Sequence, residues 1–193
     1  MLQQSISVLS RLLGRTHVPS DNRNHRFVAV IECTLNQNAR DAGAACFPAM
    51  NFELVRLCCR HGVGILQMPC PEIAALGCGR ERRPGQSLRQ ALDGEAARCR
   101  CAALAEDVAS RIADYIAGGC QLLAVLGGNP LSPGCAVHAG PDRLNEASGV
   151  FMHALQAELR RRGCDPLFRG MRDHDPDLLR EDLAWLRERF ARP

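Results

Sequence analysis

The chain contains three short apolar runs of the kind that forms buried strands, at residues 27–31, 63–66 and 121–126. Each run is continuous rather than alternating, which is typical of strands that are covered on both faces of a sheet. Helical patterns lie between the runs. The order of the elements therefore predicts parallel strands that are joined by helices.

The predicted helices have recognisable ends. Asn51 is expected to cap a helix that runs to Arg60 and ends at Gly62. A later helix ends at Gly118 and Gly119, and Ser148 is expected to cap the next one, which ends at Gly163. The expected apolar faces of the three helices are Phe52, Val55, Leu57 and Cys59; Leu104, Val108, Ile112 and Ile116; and Phe151, Leu155 and Leu159.

A weaker strand at residues 166–168 and a last helix that begins at Asp175 and Pro176 complete the pattern. We expect a three-layer, Rossmann-like α/β sandwich with a mostly parallel sheet. Residues 26–193 read as a single domain, and residues 1–25 as a flexible or helical N-terminal extension. The first 20 residues contain Arg11 and Arg15 and no acidic residue, so an organelle-targeting peptide is the alternative there.

Cysteine is the unusual component of the composition. The 193 residues include 11 cysteines, an odd number at irregular spacing, which argues against a secreted disulfide scaffold and favours the reducing cytoplasm. All 24 basic residues are arginine, which is typical of a GC-rich bacterial genome. The formal net charge of +3 is too small to predict a nucleic-acid footprint, and no apolar run approaches the ~20 residues that cross a bilayer.

Three cysteines follow the predicted strands. Cys33 comes after the first strand, Cys70 after the second and Cys135 after the third. Because the carboxyl ends of parallel strands meet at one edge of the sheet, we expect these thiols to converge there. Three thiolates can hold a metal or an iron–sulfur cluster and leave one position open for a substrate.

Other polar side chains share these loops. Pro69 and Pro71 restrain the second loop, so that Glu72 stands close to the Cys70 thiol in the position of a general acid or base. A rigid loop with a solvated glutamate is the alternative for this segment. In the first loop Asn36 and Asn38 offer donors and acceptors to a heterocycle, or else they only shape the turn.

The three loops together resemble the 2-thiouracil desulfurase family, in particular a branch of uncharacterised relatives. The resemblance spans about residues 27–170 and rests on Cys-x-Leu-Asn-Gln-Asn after strand one, Gln-Met-Pro-Cys-Pro-Glu after strand two and Ser-Pro-x-Cys after strand three. It implies a Rossmann-like iron–sulfur enzyme. Several positions depart from the usual family pattern, namely Thr34, Ala49, Gly134 and Ala136.

By this similarity, Cys33, Cys70 and Cys135 would bind three irons of a [4Fe–4S] cluster, and the fourth iron would bind the thiocarbonyl sulfur. Glu72 and Ser132 would be the catalytic residues, and Asn36 and Asn38 would contact the substrate. The expected partner is a small thiolated base or nucleoside. A thiolated tRNA stays open, and no membrane partner is expected.

Some alternatives remain at this stage. A cluster- or zinc-binding redox sensor or sulfur carrier is the second functional class. Cys99 and Cys101 form a CxC pair that would be short for zinc, and Cys46 and Cys78 are rival ligands in the loops. Cys59 and Cys120 are expected to be buried apolar residues. Arg80, Arg82 and Arg83 read as a solvated run, or as a group that holds a phosphate or a substrate carbonyl.

Overall fold

The computed structural model describes residues 21–139 and 144–192. The proposals for residues 1–20 therefore fall outside the described residues. The sheet contains β1 (Arg26–Ile31), β2 (Gly64–Met68), β3 (Gln121–Gly127) and β4 (Phe168–Gly170). Its order is β2-β1-β3-β4 and every pairing is parallel, so the predicted α/β class is confirmed.

Seven helices surround the sheet within the described part of the chain. They are α1 (Glu32–Leu35), α2 (Phe52–His61), α3 (Pro71–Leu76), α4 (Leu88–Leu92), α5 (Glu95–Ala117), α6 (Val150–Arg161) and α7 (Pro176–Phe190). A short 3₁₀ turn covers Gln37–Ala39. None of the described helices combines the length and the apolar character needed to cross a membrane.

Alternating residues of β1 divide the core into two layers. Phe27, Ala29 and Ile31 pack on one face of the sheet with the buried stripes of α5 and α6. Val28 and Val30 pack on the other face with α2 and α7. This is the predicted three-layer sandwich, and it keeps β1 buried on both faces.

Several helix ends follow the predicted chemistry. The Asn51 side chain accepts a hydrogen bond from the Leu54 N–H, and Gly62 ends α2 with a left-handed φ of 61°. Asp175 caps α7 by accepting from the N–H groups of Asp177 and Leu178. A free carboxamide or carboxylate beside an open helix end supplies the acceptor that the first turn lacks.

Three sequence expectations are wrong in detail. Gly149, without a side-chain cap, precedes α6, because the Ser148 hydroxyl is bonded to the backbone of His138 instead. The buried cysteine of α2 is Cys58 and not Cys59, so the apolar face of this helix is rotated by about one position. Phe52, expected in that face, is 62% exposed.

The position of β1 creates a crevice. The chain leaves β1 for β2 on one side and later returns to β3 on the other side. Loops that follow β1 and β3 therefore diverge from the carboxyl edge of the sheet, and this is the usual ligand position in an open α/β sheet.

Candidate functional site

A cavity of about 220 Å³ lies at this carboxyl edge. The buried residues Cys33, Cys70 and Cys135 line it, and Glu72 and Ser132 line the same cavity. Cys33 lies in α1 directly after β1, Cys70 immediately precedes α3, and Cys135 belongs to the loop after β3. The structure thus brings together five of the residues that the sequence singles out, although it leaves their chemical roles as predictions.

Burial and mutual contact set the thiol electrostatics. The Cys33 pKa is lowered chiefly because the Cys135 thiol donates a hydrogen bond to it, with a further contribution from the positive charge of Arg40. The same hydrogen bond, together with burial, raises the pKa of Cys135. Burial raises the pKa of Cys70 to about 11. A bound cation would lower the pKa of each thiol that coordinates it, because metal coordination stabilises thiolates.

Gly128 keeps the space between two of these thiols open. A Cβ at this position would lie 2.8 Å from the Cys135 Sγ and 3.3 Å from the Cys33 Sγ. Any other residue would therefore press on both sulfur atoms. The absence of a side chain here makes room for the two thiols.

The thiols of the cavity are the donors available for the expected cluster. Across residues 21–139 and 144–192, no group of three or more His, Cys, Asp or Glu side chains is arranged so that it could hold a metal ion. A four-iron cluster takes one thiolate at each iron, so that its ligands surround it and do not converge on one point. The three thiols that line one cavity fit that donor set in number, and the cluster itself stays a prediction.

Glu72 and Ser132 form a hydrogen-bonded pair at the cavity wall. The Ser132 hydroxyl donates to Glu72 Oε1 at 2.6 Å. The Ser132 Oγ also accepts from the Cys135 N–H at 3.1 Å, and it lies 3.2 Å from the Cys135 Sγ. One hydroxyl therefore connects the carboxylate of the second loop to the cysteine of the third loop.

Arg80 holds the other side of the Glu72 carboxylate. Its Nε donates to Glu72 Oε2 at 3.2 Å, and its Nη2 donates to the Ala39 carbonyl at 2.6 Å. Arg80 is 3% exposed and has a left-handed φ of 47°. The expectation of a solvated arginine run is wrong for this residue, because the buried carboxylate requires a positive partner. Arg82 and Arg83 are exposed as expected.

A second buried ion pair connects the loop after β1 to the segment after β4. Arg40, in the loop after β1, donates through Nη2 to the two carboxylate oxygens of Asp173 at 2.8 and 2.6 Å. Asp173 follows β4, and its side chain is fully buried. The sequence gives no pairing signal for these two residues, which are 133 positions apart.

Side-chain contacts to the backbone also hold the loops of Cys33 and Cys70 in place. The buried Gln37 side chain donates to the Cys33 carbonyl at 2.8 Å and accepts from the Cys46 N–H at 2.8 Å. Glu32 Oε2 accepts from the Cys70 N–H at 2.8 Å. The sequence predicts neither the contacts of Gln37 nor that of Glu32, because each contact forms only when one part of the chain folds back onto another.

Asn36 and Asn38 are exposed and do not line the cavity. The Asn36 Oδ1 accepts from the Asn38 N–H at 3.2 Å and from the Asn38 side-chain amide at 2.9 Å. These contacts are typical of residues that shape a turn. Contact with a substrate stays a prediction for both residues.

Alanine at Asn36 separates the two interpretations. If Asn36 only shapes the turn, the loss of its capping oxygen should lower the free energy of unfolding by about 1 kcal/mol and leave KM unchanged. Urea denaturation and steady-state kinetics measure the two effects. A higher KM for Asn36→Ala or Asn38→Ala, with unchanged stability, would instead support substrate contact.

The remaining cysteines lie elsewhere or face away. Cys46 and Cys78 are exposed and do not line the cavity, and Cys46 Sγ accepts from Arg40 Nη1 at 3.1 Å. Cys101 is buried in α5, whereas Cys99 is exposed. Cys120 is only half-buried, so its expected burial is reached in part.

Comparisons with known protein families, with curated proteins and with solved structures find no match for this chain.

Proposed function

We propose that this protein is a [4Fe–4S]-dependent desulfurase that acts on a thiolated pyrimidine or a similar thiocarbonyl compound. The observation that carries the proposal is the shared cavity, in which three buried thiols lie beside a carboxylate–hydroxyl pair. A protein that only bound a cluster would need the thiols, but it would not need a proton carrier next to them.

The reaction consumes one water. Replacement of C=S by C=O with release of hydrogen sulfide balances in atoms and transfers no electrons. A cluster bound by Cys33, Cys70 and Cys135 would supply a Lewis acid with one iron free of protein ligands. Among the described residues, no fourth cysteine lines the cavity, so no further thiol is available there to bind that iron.

Glu72 is the proton carrier in this proposal. Oε2 is held by Arg80, so Oε1 is the oxygen at which a proton from the attacking water is received. Ser132 now donates to that oxygen, and its hydroxyl can turn toward the substrate when Glu72 becomes protonated. Glu72 returns this proton to the leaving sulfur and then carries the proton of the added hydroxyl to the same sulfur, so that C=O forms as hydrogen sulfide leaves.

The cavity size supports a small substrate. A volume of about 220 Å³ is below the ~300–1,000 Å³ of typical drug-sized sites, which favours a free base over a nucleoside or a tRNA. We place the reaction in the cytoplasm, where free thiols stay reduced.

Anaerobic purification followed by a panel of thiolated bases tests the proposal. Iron and acid-labile sulfide should be present in the purified protein, and at least one base should release sulfide and yield its oxo product by mass spectrometry. A protein that holds a cluster but turns over no thiocarbonyl compound would be assigned to the sensor or carrier class.

Removal of the Ser132 hydroxyl is expected to have a moderate effect. Ser132→Ala deprives buried groups of a partner, so kcat/KM should fall by an amount equivalent to about 1–3 kcal/mol. Sulfide-release kinetics measure the loss. Ser110→Ala, exposed on α5, is the control, and equal kinetics for both variants would remove Ser132 from the reaction.

Removal of Arg80 is expected to destabilise the fold. Arg80→Met leaves the buried Glu72 carboxylate without its cation, and breaking such a pair costs about 3–5 kcal/mol. Denaturant unfolding of the metal-free protein measures this change. The double variant Arg80→Met/Glu72→Gln should regain much of the stability, and the exposed Arg82→Met should match the wild type. If the single and double variants are equally unstable, the ion pair is not the cause.

A further inference from the structure

A second cavity, of about 800 Å³, lies along β4 and shares no lining residue with the cysteine cavity. All three β4 residues line it, and α6 and α7 contribute Arg160, Trp185 and Arg189. Its volume lies within the ~300–1,000 Å³ range of small-molecule sites. We call it the β4 groove.

The lining of the β4 groove is strongly basic. Four arginines line it, whereas Asp165 is the one acidic lining residue in the described part of the chain. Asp165 accepts a hydrogen bond from Arg160 at 2.8 Å. The other lining arginines are Arg169, Arg172 and Arg189.

Two of these arginines share one carboxylate. Arg169 and Arg172 lie 2.7 and 2.6 Å from the same oxygen of Asp182, which is fully buried. Arg172 also contacts Glu181 at 3.0 Å, and Glu181 is mostly exposed. The buried carboxylate therefore fixes two guanidinium groups at the wall of the groove and compensates one of their two charges.

Arg189 has no carboxylate partner among the described ion pairs. Its guanidinium carbon lies 3.6 Å from the centre of the Trp185 ring, and that of Arg169 lies 5.5 Å from the same ring. The Arg189 Nε is buried without an acceptor. Burial, and then the charge of Arg192, lower the pKa of Arg189. The ring face attracts each guanidinium, but the two like charges repel each other, and a bound anion would relieve that repulsion.

We infer that the β4 groove binds a ligand that carries one or two phosphate groups. A guanidinium fork matches phosphate oxygens in a bidentate geometry, and Arg189 still has donors to offer after its contact with Trp185. The ligand would supply negative charge beside Arg189, which lacks a carboxylate partner among the described ion pairs. This site is independent of the proposed desulfurase reaction.

Calorimetric titration of the full chain tests the inference with three probes at low salt: inorganic pyrophosphate, a nucleoside diphosphate and a short single-stranded RNA. Pyrophosphate should bind, and added salt should weaken this binding. Arg189→Gln should weaken binding about 10- to 100-fold, as expected for the loss of a charge-assisted hydrogen bond. Arg187→Gln, exposed on the same helix, should stay within about twofold of the wild type.

The probes also separate the sources of the phosphate. Equal or tighter binding of the nucleoside diphosphate would support a nucleotide as the ligand, and preference for pyrophosphate would support a free diphosphate. RNA that binds far more tightly than either probe would overturn the assignment to a small ligand. Wild-type binding weaker than about 10 mM, or equal losses for Arg187→Gln and Arg189→Gln, would overturn the site itself.

Discussion

Replacement of Cys33, Cys70 or Cys135 by alanine is expected to remove most of the bound iron. Each substitution takes one of three thiolates from a cluster that already has fewer protein ligands than the usual four. Iron and sulfide analysis after anaerobic purification measures the loss, and absorbance near 400 nm follows the cluster directly. The three variants should also lose sulfide-releasing activity.

Four other cysteines provide matched controls, because none of them lines the cavity. Alanine at Cys58, Cys59, Cys99 or Cys101 should leave the iron content unchanged. Full iron in any one of the three ligand variants would exclude that cysteine from the site. Loss of iron with Cys46→Ala or Cys78→Ala would make that loop cysteine a ligand, although the structure places both outside the cavity.

Glu72→Gln is expected to reduce turnover about 10²–10⁴-fold, the usual contribution of a positioned proton carrier. The amide keeps the shape of the side chain but offers no carboxylate to receive the proton. Anaerobic single-turnover kinetics of sulfide release measure the effect. Iron content should be the same as in the wild type, because Glu72 is not a proposed ligand.

The outcome for Glu72 also decides between the two functional classes. If Glu72→Gln retains full turnover, the proton carrier must be another group. If the wild-type protein holds a cluster, shows no turnover, and neither its ligand binding nor its redox behaviour changes in Glu72→Gln, the sensor or carrier class takes the place of the desulfurase.

The strands were predictable because their signal is local and redundant. Continuous apolar runs marked β1 to β3, and Asn51 and Asp175 carried the acceptors that helix starts require. The helix faces were less predictable. Cys58 and Cys59 differ by one step of about 100°, and only the packing of α2 against the sheet decides which of them is buried.

The cavity was predictable where it depends on topology. Three cysteines after three parallel strands must lie at one edge, and the structure places them there. The ion pairs of Arg40 and Arg80 were not predictable, since their carboxylate partners come from other loops. Asp173 and Glu72 contact these arginines only in the folded protein, where the loops pack around the cavity.

Glycines at loop contacts determine which positions near the cavity tolerate substitution and which do not. A Cβ at Gly149 would lie 2.3 Å from the Gly134 backbone, and one at Gly134 would lie 2.9 Å from Pro71. Substitution at either position would displace the Cys135 loop. Leu131, by contrast, lines the same cavity and is 85% exposed, so it can vary without moving a thiol. For the proposed reaction, new substrate preferences should therefore arise first through Leu131 and other rim residues.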